Sequence, residues 1–582
     1  MQDWREHYPS TAGSHHLSCH LFFFLYYCTT DLSRAADQES TLTALSIVCV
    51  EFDHNDTIKH NAELYYGATG VLAEKLSIMD HTCDHEAIRM VCAAIEMVFR
   101  GGSKYVKEAF RVYAPIMMPP LLRLMDKCEQ SKVKHADEII LNITKTFHYV
   151  SKIPEVRVSL ARQTGLLDWL ERVASTPLNV PSRNIRVRIM ANLANCEDNK
   201  VLMYAHKGLL TSMLKIAQFD LVDVTREYAT SALMDLASAP ANQVPLARNG
   251  HVLRVLTTMV VNEKISMIRE STTTTLQNLA FPKSNRKRLV HFEEGIVIEA
   301  LLYVVSKDSN EKARRRAAGA LTNLAYDGTA EAMAGRPGLL KTLANVAIAG
   351  GNQTVQSRAC LALTKIASNI RKSSRNYKDV IDALVIAADT TVENNISAVF
   401  RLRAREPECR ESMARHEGVL EKLSDMCTRP NSSLKDRDNA TRALMHLANA
   451  TTNHKIMCND KVLAALVQGT VLGSPPVDGD DELGRSPLDS PPHAAPISTL
   501  DVSGDDQHFL TEIQDSAIRA IARLATEVSN RQVMAKHKGL ITAIAKATER
   551  ESKLQVQGVE SDKNQQQNFL GKPLLLSLLV AL

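Results

Sequence analysis

Eight cations and three amides recur at fixed offsets along this chain of 582 residues. Arg188, Arg316, Arg358, Lys365, Arg401, Arg442, Arg519 and Arg523 each lie one, five or eight residues before an apolar residue that closes a helix-like stretch. Asn192, Asn278 and Asn323 stand directly before that residue. Only Asp235 brings an acid to the same offsets, an eight-to-one bias in a chain of formal net charge +4. On an α-helix these offsets share one face. A row of guanidinium and ammonium groups suits acidic partners, and a carboxamide beside them donates and accepts at once, which suits the backbone of an extended peptide. A solvated basic helix face, and Asn side chains that tie neighbouring helices together, would use the same residues without a ligand.

Other chemistry is sparse. The chain has no glycine-rich phosphate loop, no H-E-x-x-H and no G-x-S-x-G, so neither an enzyme nor a cofactor is expected. His81, Cys83, His85 and Cys92 form the densest ligand-type cluster in the repeat region, and His15, His16, Cys19 and His20 a second. Neither has a standard zinc spacing, so no metal is expected and Cys92 reads as a core thiol. Eleven cysteines without C-x-x-C suit reduced thiols and a cytoplasmic or nuclear location. Arg286-Lys287-Arg288 reads as a solvated cluster on a short outer helix or as a nuclear signal.

The elements that position the basic row repeat. ARRRAAGALTNLA (313–325) is the clearest copy, and the endings IMANLA, ALMDLA, TLQNLA, ALTKIA, VFRLRA, ALMHLA and AIARLA are related. Taking Leu193, Leu236, Leu279, Leu324, Ile366, Leu402, Leu447 and Leu524 as anchors gives steps of 43, 43, 45, 42, 36, 45 and 77, the spacing of a helical solenoid apart from the last. Three, four and seven residues before an anchor the positions are mostly small or apolar, as in Ala229, Ala232 and Leu233, one buried stripe. Six residues after it come Asn199, Asn242, Asn285, Asn453 or Asn530, read as caps of a short helix. That helix ends at Gly208, Gly250, Gly295, Gly338, Gly418 or Gly539, which permits a sharp corner before an apolar helix such as GLLTSMLKIA.

This unit, a short helix, a glycine corner, an apolar helix and a long helix ending in N-L-A, resembles the armadillo repeat. The resemblance implies an all-α, right-handed superhelical solenoid of about ten three-helix repeats, with the third helices lining a concave groove, so the eight cations and three amides become groove positions. Importin-alpha pairs a similar Asn array with tryptophans four residues earlier, where this chain has Arg188, Thr274 and Gly319. Lacking that array, the groove is similar in character to the basic channel of beta-catenin. The implied function is a protein-interaction scaffold or adaptor that binds an extended acidic segment. A nucleic-acid-binding solenoid is disfavoured because stacking aromatics are absent from these positions, and a regulatory or co-chaperone subunit that docks a folded partner is a further alternative. Oligomeric state is not legible.

The expected layout is a non-repeat leader (1–40), degenerate repeats (41–180), regular repeats (181–472), an acidic Pro-rich insertion (473–508), a last repeat (509–550) and a tail (551–582). Gly70 and Gly165 mark corners of the early repeats, and 85–99 and 136–147 their long helices. The insertion holds six prolines and eight acidic residues against one arginine, a composition for disorder. Removing its 36 residues reduces the step of 77 to 41, one ordinary repeat, with the next helix starting near Thr511. Ser486-Pro487 and Ser490-Pro491 resemble sites of proline-directed phosphorylation, and the acidic tract could compete with ligands for the groove. In the leader, LFFFLYYC follows Asp3, Arg5 and Glu6, which lacks the positive start of a secretory signal; a flexible leader, a capping helix and a misassigned start all fit. No apolar run approaches the roughly 20 residues that would span a bilayer.

Overall fold

Small residues on one stripe of each long helix allow close helix stacking, and that stacking is the fold. The computed structural model describes residues 69–556, except 71, 75, 78–84, 101–104, 131–132, 176–179, 327, 350, 391–394 and 473–503, together with residue 580. The described residues hold helices, turns and no strand, an all-α solenoid of armadillo type. Its long helices are α1 (His85–Arg100), α2 (Ala136–Ser151), α3 (Val180–Ala194), α4 (Asp223–Ser238), α5 (Ser266–Ala280), α6 (Glu311–Leu324), α7 (Gln353–Asn369), α8 (Ile396–Arg405), α9 (Leu434–Leu447) and α10 (Gly504–Leu524). Two compact units meet in sequence at Asn285 and Arg286. Consecutive long helices pack together from α1 to α5 in the first unit and from α6 to α10 in the second. A short helix and an apolar helix precede most of them, as Glu197–Ala205 and Leu209–Phe219 precede α4.

Seven anchors, Leu193, Leu236, Leu279, Leu324, Ile366, Leu447 and Leu524, are fully buried. The eighth departs from expectation: Leu402 is 43% exposed, and Arg403 fills the core slot at 4%. Arg403 Nε donates to Ala367 O at 2.8 Å, and Nη1 donates to both Glu406 carboxylate oxygens at 3.1 and 3.0 Å. This repeat has non-helical backbone at 370–371 and turns at 372–376 instead of a short first helix, and the guanidinium supplies polar contacts there. Ala404, next in sequence and fully buried, sits in the alanine position that follows the other anchors.

The recurring asparagines are staples, not helix caps. Each is buried inside the short helix, which begins two residues earlier in the copies at Glu197, Pro240, Lys283 and Val528. One Nδ2 hydrogen goes to the carbonyl of the anchor six residues back and the other to the preceding repeat. Asn242 donates to Leu236 O and Lys200 O, both at 3.0 Å, and Asn199, Asn285, Asn453 and Asn530 repeat the pattern at 2.9–3.2 Å. The carbonyls at the end of each long helix would otherwise lack partners, so one side chain satisfies a helix end and joins two repeats.

Glycine corners form at Gly165, Gly208, Gly295, Gly338, Gly418 and Gly539, with φ between 75° and 96°. Gly250 is no corner: it begins the helix Gly250–Asn262, which Asn249 caps by accepting from His251 N and Val252 N. Gly70 is helical too. At Gly338 a Cβ would meet nothing within 4 Å, whereas at Gly418 it would lie 2.9 Å from Val385 Cγ1. Gly338→Ala is therefore expected to destabilise by about 1–2 kcal/mol through its left-handed backbone alone, and Gly418→Ala by more, read as midpoints in urea denaturation. Equal midpoint shifts would rule out a steric contribution.

Helix α10 starts at Gly504, inside the acidic tract and ahead of the expected Thr511. The leader, His81, Cys83, most of the tract with Ser486 and Ser490, and most of the tail lie outside the described residues. No described helix is long and apolar enough to cross a membrane.

Candidate functional site

The basic row is not uniform. On α6 and α7, Arg316, Asn323, Arg358 and Lys365 are half-buried. Arg358 Nη1 donates to Arg315 O at 3.3 Å, and Lys365 Nζ donates to Thr322 O at 3.2 Å. Thr322 Oγ1 closes the lacing, its one hydroxyl hydrogen shared between Ala318 O at 2.8 Å and Arg358 O at 3.0 Å. Both cations thus rest on main-chain carbonyls, which orient them without neutralising them. Burial, then the charges of Arg315 and Arg316, holds the Arg358 pKa below its usual value; burial, then Arg286, does so for Lys365. The Asn323 carboxamide makes no hydrogen bond among the described residues, leaving its donor and acceptor open.

Arg286 belongs beside this site, not in a solvated outer cluster. Its guanidinium carbon lies 5.4 Å from the centre of the Tyr326 ring, within cation–π range, while Lys287 and Arg288 remain exposed. Its place directly after Asn285 explains this, because the staple fixes the turn of helix that aims the next side chain inward. His454 after Asn453 likewise reaches Ala448 O at 2.9 Å, and Arg531 after Asn530 reaches Ala525 O at 2.9 Å.

Across α8 to α10 carboxylates offset part of the row. Asp438, 2% exposed, accepts from Arg442 Nε at 2.7 Å and lies 3.7 Å from Arg401 Nη1; Glu512 lies 3.0 Å from Arg442 Nη2. Burial raises the Asp438 pKa, against the pull of Arg442 and Arg401. The eight-to-one bias therefore overstates the available charge, because offsets of one, five and eight omit both acids. The four-residue spacing of Asp438 and Arg442 was a legible sign of a helix-surface pair. With Arg403 as anchor, Arg401 also sits two residues before it, not one. Farther along, Arg519 is half-buried and Arg523 Nη1 donates to Met445 O at 3.2 Å.

The first unit carries its own set. Arg188 is exposed, with its guanidinium carbon 5.3 Å from the Tyr228 ring centre. Asn192 donates to Ser151 Oγ of the preceding long helix at 2.9 Å, so here the amide ties repeats together. Asn278 is half-buried and makes no side-chain hydrogen bond among the described residues. Asp235 has its pKa raised by burial, opposed by Lys200, Asn195 and Arg157. Cys92 is fully enclosed on α1, and no three described His, Cys, Asp or Glu side chains gather where a metal could bind.

Neither a protein-family model nor a curated protein matches the chain. Solved structures are similar at low identity. An engineered protein is 17% identical over 86% of this chain and 98% of its own, with a TM-score of 0.46. A chain from a structure concerned with the interaction between cadherin and beta-catenin is 13% identical over 92% and 100%, with a TM-score of 0.47. A designed armadillo repeat protein in complex with the peptide (KR)4 is 16% identical over 44% and 99%, with a TM-score of 0.34. The stacked three-helix units themselves define the class, an all-α repeat solenoid.

Proposed function

We propose that the chain is a protein-binding scaffold whose second unit receives an extended acidic segment along α6 and α7. The observation that carries this reading is the pairing of Asn323, whose carboxamide is unengaged, with Arg358 and Lys365, whose charges are held by carbonyls and not by carboxylates. Asn323 would hold the ligand backbone, and Arg316, Arg358 and Lys365 its acidic side chains. Arg401 and Arg442 contribute less because Asp438 and Glu512 already engage them. A basic ligand would meet like charge at this face.

The test uses a fluorescein-labelled, glutamate-rich peptide of about ten residues and the full chain carrying Arg316→Glu, Arg358→Glu and Lys365→Glu. Exposed ion pairs contribute about 0.2–1 kcal/mol each, so the triple change is expected to weaken binding about tenfold or more and flatten its salt dependence. Helical content, read by circular dichroism, should not change. Equal affinity of the wild type and the triple variant would remove the groove as the site. Partners captured by the wild type but lost after nuclease digestion would point to nucleic acid instead.

A further inference from the structure

We propose that Arg405, Arg410, Arg523 and His446, gathered at the last turns of α8 and α9, form a binding site for a phosphoryl group carried by the groove ligand; the source of that group rests on the reading above. Arg405 ends α8 and is exposed. Arg410, in the helix Pro407–Ala414, turns back on the same end: its Nε donates to Ala404 O at 3.2 Å and its Nη2 to Arg405 O at 2.9 Å. From the other side, Arg523 on α10 reaches Met445 O, which puts its guanidinium beside His446. Carbonyl contacts fix Arg410 and Arg523 while consuming only part of the five donors each guanidinium carries.

Charge distinguishes this cluster from its neighbours. One turn earlier on the same helices, Arg401 and Arg442 meet Asp438 and Glu512. Arg405, Arg410 and Arg523 have no carboxylate partner among the described residues. Burial, then Arg410, Arg523, Arg405 and Arg401, pushes the His446 pKa down to about 4, so the imidazole is neutral near pH 7 and surrounded by cations. Burial, then Arg519 and Arg410, likewise lowers Arg523. A carboxylate would offset one of three uncompensated charges. A phosphoryl group brings about −1.5 to −2 and three acceptor oxygens, which matches several guanidinium donors at once. Capping of helix ends accounts for Arg410 and Arg523 but leaves Arg405, which caps nothing, unexplained.

Inorganic pyrophosphate titrated calorimetrically into the full chain at low ionic strength tests the site itself. Charge-assisted hydrogen bonds of this kind imply that Arg405→Gln with Arg523→Gln weakens binding about tenfold or more, while Lys287→Gln on the exposed outer face leaves it unchanged. An acidic peptide with one phosphoserine should outbind its unphosphorylated twin, and the preference should vanish in the double variant. Equal pyrophosphate binding by wild type and variant, or displacement by acetate as readily as by phosphate, would overturn the site. If the double variant does not fold, Arg405→Gln alone decides the matter in the same way, since that side chain is exposed and makes no hydrogen bond among the described residues. A peptide that binds regardless of Arg405 and Arg523 but depends on Arg316, Arg358 and Lys365 would overturn this site and leave the groove reading intact.

Discussion

Glu129→Ala is expected to lower the unfolding free energy by about 3–5 kcal/mol, because it strands a buried arginine without its counter-charge. Arg186 on α3 is fully enclosed, with its Nη1 2.7 Å from Glu129 Oε1. Its Nη2 donates to Trp169 O, and its guanidinium carbon stacks 4.2 Å from the Trp169 ring centre. Trp169 Nε1 donates to the same carboxylate oxygen at 3.2 Å, and Phe147 packs edge-on against the indole at 5.4 Å. Burial lowers the Arg186 pKa to about 10, with Glu129 opposing. Removing Glu129 leaves a charge, an indole N–H and their desolvation uncompensated. Urea denaturation of the single variants and of Glu129→Leu with Arg186→Met checks the origin of the loss. The double apolar replacement should recover most of it, since a well-packed apolar pair of similar volume often equals a buried ion pair. A loss below about 1 kcal/mol in Glu129→Ala would mean that water reaches the arginine.

Asn242→Ala is expected to cost about 2–4 kcal/mol, because it leaves the buried Leu236 O at the end of α4 without a donor, worth about 1–3 kcal/mol, and removes the hydrogen bond to Lys200 O in the preceding repeat, worth about 0.5–1.5 kcal/mol. The loss should be local. Each repeat touches its neighbours and little else, so a weakened junction loosens one step of the stack and not the whole. Hydrogen exchange should show faster opening around 236–242 with slow exchange retained in α9. A uniform increase along the chain would instead indicate global coupling. Asn242→Asp tests the chemistry separately, since it keeps the shape but replaces both N–H donors with an acceptor, and it should be no better than alanine.

The repeat was legible because small and apolar residues recur with the period of stacked helices. A helix face needs only local sequence to be recognised, and seven of the eight anchors lie in the core as the pattern places them. Gly208 and Gly418 were legible for the same reason, since a backbone at positive φ restricts residue choice at the turn itself. The fold class, the helical units and the composition of the basic row therefore follow from the chain read alone.

Partner choice did not follow, because it depends on residues far apart in sequence. Arg186 lies seven residues before its anchor, where α4, α6 and α9 place Ala229, Ala317 and Ala440, and its counter-charge is 57 residues away on another helix. Arg403 occupies a leucine slot because a neighbouring helix is missing. The staple asparagines look like caps until the preceding repeat presents a second carbonyl. Along the basic row, sequence supplied the cations, but only the stacking decided which meet Asp438 and Glu512 and which stand beside His446 with no carboxylate partner among the described residues. The physical reason is common to all four cases: burial makes an unsatisfied polar group costly, and whether it is satisfied is settled by the neighbouring repeat, not by the residues next to it in the chain.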